Sequence, residues 1–160
     1  MTDHRLLRDP GEIVATGRPL IVVDVDEVIL RFVGPLTGFL ATRGFALHAR
    51  SFALTGNVTR AGATQALPAE EVKALIAAFF EAEVERQAPV EGAIAALGRL
   101  SARADVVILT NVPAAQAERR ARHLARLGVT APVLVNDGAK GPMLARLARA
   151  AGHDDGGRLI

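Results

Sequence analysis

Two aspartates one residue apart, Asp24-Val25-Asp26, follow directly on the apolar run Leu20-Ile21-Val22-Val23. Side chains alternate along a strand, so both carboxylates project to one side while Val25 points away. Two carboxylates sharing a small space repel unless a cation or a proton separates them. That is a setting for acid–base or nucleophilic work, although strand ends also carry aspartates that are merely solvated, and a lone D-x-D is a weak signal. Glu27 beside them reads as a solvated residue rather than a third ligand.

A second pair of polar side chains, Thr110-Asn111, closes the apolar run Asp105-Val106-Val107-Ile108-Leu109. A hydroxyl and an amide at that place can hydrogen-bond a phosphoryl oxygen, and they can equally cap the helix that follows Pro113. A third feature is Lys140, in Asn136-Asp137-Gly138-Ala139-Lys140-Gly141-Pro142. A lysine at a helix start opposes the helix dipole, which favours anions there. Neutralising a phosphate explains the placement, and an exposed loop lysine explains it as well. The chain has only two lysines among its 19 cationic side chains, Lys73 and Lys140.

The elements around these residues predict how they are positioned. Pro19–Asp24, Asp105–Thr110 and Ala131–Asn136 hold short, continuous, β-branched apolar runs, the pattern of strands buried on both faces. Pro113 to Leu127 carries apolar residues at helical spacing (Ala117, Ala121, Leu124) and stops at Gly128, and Gly141-Pro142 opens another helix through about Ala151. Glu91 through Leu100 supplies a helix ahead of the second strand. Strands alternating with helices predict the α/β class, a doubly wound parallel sheet whose ligands sit beyond the carboxyl ends of the strands. Residues 1–18 read as a polar arm or marginal helix, and residues 19–30 with 89–160 as the core. From Leu30 to about Pro89 no strand is predicted. Helical patterns at Pro35–Arg43 and Pro68–Glu85 make residues 31–88 a helical insertion after the first strand, covering the carboxyl edge of the sheet. Gly156 to Ile160 reads as the start of a fourth strand, where the chain stops.

Composition narrows the function classes. Half of the 160 residues are apolar and 22% are charged, with 19 Lys and Arg against 17 Asp and Glu. That is an ordinary globular domain, and the near-neutral balance with no Trp or Tyr disfavours a nucleic-acid binder. The run Arg119-Arg120-Ala121-Arg122-His123 with Arg126 reads as a solvated basic helix face. The absence of cysteine excludes a disulfide framework. The longest apolar run, Ala74–Phe80, is too short for a bilayer, and the charged start MTDHRLLRDPGE lacks the apolar stretch of an export signal. These features predict a cytoplasmic protein with no membrane and no nucleic-acid partner. His48 and His123 have no zinc-ligand spacing, and no P-loop or G-x-G-x-x-G occurs. Asn57 and Arg60, in a polar turn of the insertion, are candidates for touching a substrate.

Asp24 and Asp26 after the first strand, Thr110 after the second and Lys140 before the last helix all fall at carboxyl-side loops of one parallel sheet. In this combination the chain resembles the haloacid dehalogenase (HAD) superfamily of phosphohydrolases over about residues 19–160. Asp24 and Asp26 match its first motif, Thr110 its second and Lys140 its third. Asp26 also matches the phosphatases of that superfamily, since its dehalogenases generally lack the second aspartate. The resemblance implies a Rossmann-like core with a helical cap at 31–88. It further implies a Mg²⁺-dependent phosphomonoesterase acting on a small phosphorylated metabolite. Asp24 would attack phosphorus and form an aspartyl-phosphate, while Asp26 would protonate the leaving oxygen and then take a proton from water. Mg²⁺ would be held by Asp24 and by the backbone carbonyl of Asp26, and Thr110, Asn111 and Lys140 would bind the phosphoryl oxygens.

One motif departs from the pattern. The superfamily's fourth motif supplies further acids for Mg²⁺ beyond the strand that begins here at Arg158, and the chain ends at Ile160. Asp154 and Asp155 lie ahead of that strand, and Asp137 does not match the motif. Ending on the apolar Leu159-Ile160, the core reads as incomplete at its C-terminus, part of a longer protein; two other readings are a HAD-like domain, weakened or inactive, that binds a phosphorylated ligand or a protein partner, and a receiver-like signalling domain. The receiver places its phosphoacceptor at the end of the third strand, where this chain has Asn136 and not aspartate.

Overall fold

The computed structural model describes residues 5–153 apart from Ala15, Ala49 and Phe52. In chain order its elements are β1 (Leu6–Leu7), a 3-10 turn (Pro10–Glu12), β2 (Leu20–Val23), α1 (Val33–Ala41), β3 (Phe45–Leu47) and β4 (Val58–Arg60). There follow α2 (Ala69–Glu83), α3 (Ala93–Ser101), β5 (Asp105–Thr110), a 3-10 turn (Ala114–Gln116), α4 (Ala117–Arg126), β6 (Val133–Val135) and α5 (Gly141–Ala150). The chain divides into two units, Met1–Leu30 with Ala88–Ile160, and Arg31–Gln87.

The first unit is built on a four-stranded, all-parallel sheet in the order β1-β6-β5-β2. Residues of β5 alternate between its two faces. Val106 and Ile108 pack with Val133 of β6, Leu97 of α3, and Ala121 and Leu124 of α4. Val107 and Leu109 pack with Leu7, Leu134 and Leu147 of α5. Helices therefore cover both faces, which is why the three main strands are apolar throughout rather than alternating. Burying each of these Val, Leu and Ile side chains contributes about 1.5–3 kcal/mol, so both layers hold the sheet. The fourth strand expected from Gly156 to Ile160, with Asp154 and Asp155 ahead of it, lies outside the described residues.

The N-terminal segment departs from the expected arm. Leu6 and Leu7 form β1, an edge strand parallel to β6 in register with Val133 and Leu134. Two apolar residues between Arg5 and Arg8 are too short a run to show a period; pairing and the burial of Leu7 against α5 make the strand. Asp9 then caps the 3-10 turn, its Oδ1 accepting from Gly11 N at 2.8 Å while Glu12 Oε1 accepts from Asp9 N at 2.9 Å. Arg146 of α5 holds Asp9 Oδ2 at 2.6 Å.

The second unit also corrects an expectation, because it contains two strands. β3 and β4 pair antiparallel, Phe45 opposite Arg60 and Leu47 opposite Val58. Each is three residues long, and the second half of what reads as a polar turn, Leu54–Arg60, is β4. Strands this short are made by their partner rather than by propensity. Here the Arg60 guanidinium lies over the Phe45 ring, 5.6 Å from its centroid. The two helical patterns form α1 and α2, and α2 ends at Glu83 rather than Glu85. All six phenylalanines of the chain lie in this unit. Phe32, Phe39, Phe79 and Phe80 form a chain of ring contacts with centroids 5.3–5.8 Å apart, within the range of favourable aromatic pairs. Among the described residues, no helix is long and apolar enough to cross a membrane.

Candidate functional site

Beyond Val23 the main chain leaves β2 in a tight loop. The carbonyl of Val25 accepts from the amides of Val28, Ile29 and Leu30 at 3.2, 2.8 and 2.9 Å, and the Glu27 amide donates back to Leu30 O at 2.8 Å. Glu27 has φ +59°, the left-handed region, which costs a non-glycine residue about 1–2 kcal/mol. The burial of Val25, Ile29 and Leu30 anchors this conformation. Asp24 and Asp26, on either side of buried Val25, stay accessible, with side chains 43% and 20% exposed. β2 ends at Val23, so Asp24 and Asp26 lie in the loop beyond it and not on the strand, where the alternation places them.

Each carboxylate meets a cation. Lys140 Nζ lies 2.5 Å from Asp24 Oδ2. Lys140 caps α5, so it opposes the helix dipole as its position in the sequence predicts, and Asp24 offsets that repulsion. Arg120 Nη2 donates to Asp26 Oδ1 at 3.1 Å. This second pair overturns the reading of the α4 run as a solvated basic face. Arg120 is 0% exposed and His123 is buried, whereas Arg122 and Arg126 face solvent. The reason is helical geometry: Arg120 lies three residues after Ala117 and four before Leu124, on the stripe that packs against the sheet. That spacing was the signal available in the sequence. Burial pulls the Arg120 guanidinium below its usual range, and Asp26 first, then Asp24, pull it back up. An arginine remains charged in a protein.

Thr110 ends β5, on the strand beside β2, and is wholly buried. Its Oγ1 has no hydrogen-bond partner among the described residues. Leaving a buried hydroxyl unsatisfied costs about 1–3 kcal/mol, and such groups commonly await a ligand or water. Neither Thr110 nor Asn111 caps the following turn, whose cap is Pro113 without a side-chain hydrogen bond. Asn111 is engaged with the next loop. Its Nδ2 donates to Gly138 O at 2.8 Å, and its Oδ1 accepts from Asn136 Nδ2 at 2.9 Å. Asn136 Nδ2 also reaches Gly138 O at 3.0 Å, and its backbone amide donates to Thr110 O. Gly138 has φ +80°, a bend that suits glycine and carries the chain toward Lys140. Asn111 and Asn136 therefore brace the loop that delivers the lysine.

The remaining candidates lie elsewhere. Asp137 and Glu27 are exposed. In the second unit, Asn57 is buried and its amide donates to Ser51 Oγ at 2.8 Å and to Ala53 O at 2.5 Å, closing its own loop. Arg60 pairs with Glu71 at 3.7 Å, and His48 Nε2 meets Thr59 Oγ1 at 3.0 Å.

Among the described residues no cluster of three or more His, Asp or Glu could hold a metal ion. Asp24 and Asp26 are the oxygen donors at hand. The Asp24 carboxylate and the backbone carbonyl of Asp26 would suit Mg²⁺, which retains several waters and is commonly bound by one or two carboxylates plus substrate phosphate. No protein-family model, curated protein or solved structure matches the chain.

Proposed function

We propose that this chain is a Mg²⁺-dependent phosphomonoesterase of the HAD type that hydrolyses a small phosphorylated metabolite. One observation carries the reading: Asp24 stands against Lys140 at the carboxyl end of a parallel sheet, while the neighbouring strand ends in the buried hydroxyl of Thr110, which has no hydrogen-bond partner among the described residues. A carboxylate nucleophile, a cation for the phosphoryl charge and a spare hydrogen-bond donor are the groups that phosphoryl transfer to an aspartate requires.

In this reading a carboxylate oxygen of Asp24 attacks phosphorus as the bond to the leaving oxygen breaks, and Asp26 gives that oxygen its proton. Water then attacks the aspartyl-phosphate, Asp26 takes the proton from it, and phosphate leaves with Asp24 restored. Lys140 passes from Asp24 to the phosphoryl oxygens as substrate arrives, and Thr110 donates its hydroxyl to them. Asn111 and Asn136 set the loop that carries Lys140. The Asp24 carboxylate and the backbone carbonyl of Asp26 would hold Mg²⁺, which would neutralise charge between carboxylate and phosphate. The Arg31–Gln87 unit is inserted in the sequence after β2, at the point where the resemblance implies a cap. The absence of cysteine supports a reducing, cytoplasmic setting.

A second reading, a HAD-like domain that binds a phosphorylated ligand or protein partner without turnover, draws support from the lack, among the described residues, of a group of three or more His, Asp or Glu that could hold a metal ion. Hydrolysis of p-nitrophenyl phosphate by the chain and by Asp24→Asn, with and without Mg²⁺, separates the two. Metal-dependent turnover that disappears in Asp24→Asn is the result expected for the enzyme. A folded chain that binds inorganic phosphate but shows no turnover would replace it with the binding reading.

A further inference from the structure

The proposed chemistry leaves one buried charge without a task. Arg120 occupies the core-facing stripe of α4 with Ala117, Ala121 and Leu124, all buried, and has no exposed surface. An apolar residue would suit that stripe, and exchanging a buried ion pair for apolar groups of similar volume is often neutral or stabilising. Stability of the fold is therefore a weak reason for an arginine here. Its guanidinium instead donates a hydrogen bond to the carboxylate of Asp26, which sits on the loop where the main chain bends through the strained Glu27. A planar guanidinium fixes direction as well as charge, which an ammonium does not.

We infer that Arg120 is a positioning residue: through its hydrogen bond it holds the Asp26 carboxylate in the orientation from which it exchanges a proton with the leaving oxygen and then with water. The inference rests on the phosphohydrolase reading above. Proton transfer demands a carboxyl oxygen within hydrogen-bond reach of the reacting oxygen, and a misplacement of about 1 Å costs on the order of a hundredfold in rate. Arg120 acts on the substrate only by way of Asp26, so its effect must vanish when Asp26 can no longer carry a proton.

The test compares kcat and KM for p-nitrophenyl phosphate in the full chain, Arg120→Met, Arg120→Lys, Asp26→Asn and the Asp26→Asn/Arg120→Met double variant. Arg120→Met is expected to lower kcat on the order of a hundredfold with KM changed less than about threefold. Arg120→Lys, which keeps the charge, should recover about tenfold of that loss. In the Asp26→Asn background the Arg120 change should alter kcat by less than about threefold. Equal losses in both backgrounds, or a folded Arg120→Met with the kcat of the unaltered chain, would overturn the assignment. Should Arg120→Met not fold, Arg120→Lys with and without Asp26→Asn makes the same comparison. Urea unfolding of the same set reads the pair independently of turnover, with coupling in the unfolding constant expected on the order of tenfold. No coupling overturns the pair itself. Coupling in a chain that never hydrolyses the ester overturns the phosphohydrolase reading and the positioning role together, leaving a structural pair.

Discussion

Lys140 Nζ stands 2.5 Å from Asp24 Oδ2, joining the start of α5 to the end of β2. The two residues belong to loops at the same edge of the sheet, and neither is fully buried, with side chains 26% and 43% exposed. An ion pair so open to water adds little to stability, about 0–1 kcal/mol. Its worth lies in what the lysine does once an anion competes for it.

Replacing Lys140 with alanine should therefore separate function from fold. Turnover of p-nitrophenyl phosphate is expected to fall by on the order of a hundredfold or more, as when a group that stabilises developing charge is lost. Unfolding in urea should change by less than about 1 kcal/mol, because the lost pair is solvent-screened and the helix dipole no longer meets a cation at α5. Turnover equal to the unaltered chain would remove Lys140 from the site.

Glu27 offers a test of the loop that sets the aspartates apart. At φ +59° any side chain is strained, and glycine is not. Glu27→Gly and Glu27→Ala both lose the same carboxylate, so their difference isolates the backbone. The glycine variant should be the more stable by about 1 kcal/mol in chemical denaturation. Equal stabilities would mean that the loop relaxes out of the left-handed region when the side chain is trimmed.

How much of this was legible in the sequence depended on length and on burial. The three main strands lie inside runs that are apolar on both faces, and that continuity reflects a sheet covered by α3 and α4 on one side and α5 on the other. The approach of Lys140 to Asp24 was legible in outline, because one residue follows a strand and the other opens a helix at the same end of the sheet. β1, β3 and β4 were not, since two or three residues cannot display a period and their stability comes from pairing partners distant in the chain. Arg120 was hidden for another reason. A charge run invites the assumption that every member faces water, whereas the helical stripe Ala117–Ala121–Leu124 places this one inside, and only the fold reveals that Asp26 awaits it.

The Asn111–Asn136–Gly138 network yields a prediction about the lysine at a distance. Asn136 is buried and its amide serves both Asn111 Oδ1 and Gly138 O. Asn136→Ala removes these bonds and should destabilise the chain by about 1–3 kcal/mol. It should also lower turnover by roughly tenfold by loosening the loop before Lys140, an effect of positioning. A destabilised variant with undiminished turnover would show that the loop holds Lys140 without this brace.

Thr110 gives the sharpest prediction, because stability and function should move in opposite directions. Its hydroxyl is buried without a hydrogen-bond partner among the described residues, a cost that valine, nearly the same shape, does not bear. Thr110→Val should therefore stabilise the ligand-free chain by about 1 kcal/mol in urea unfolding. If the hydroxyl waits for a phosphoryl oxygen, the same variant should bind inorganic phosphate on the order of tenfold more weakly, and added phosphate should raise its melting temperature less. Greater stability with unchanged phosphate binding would place the anion away from β5. Lower stability would mean that the hydroxyl already has a partner, and Thr110 would then belong to the fold and not to the site.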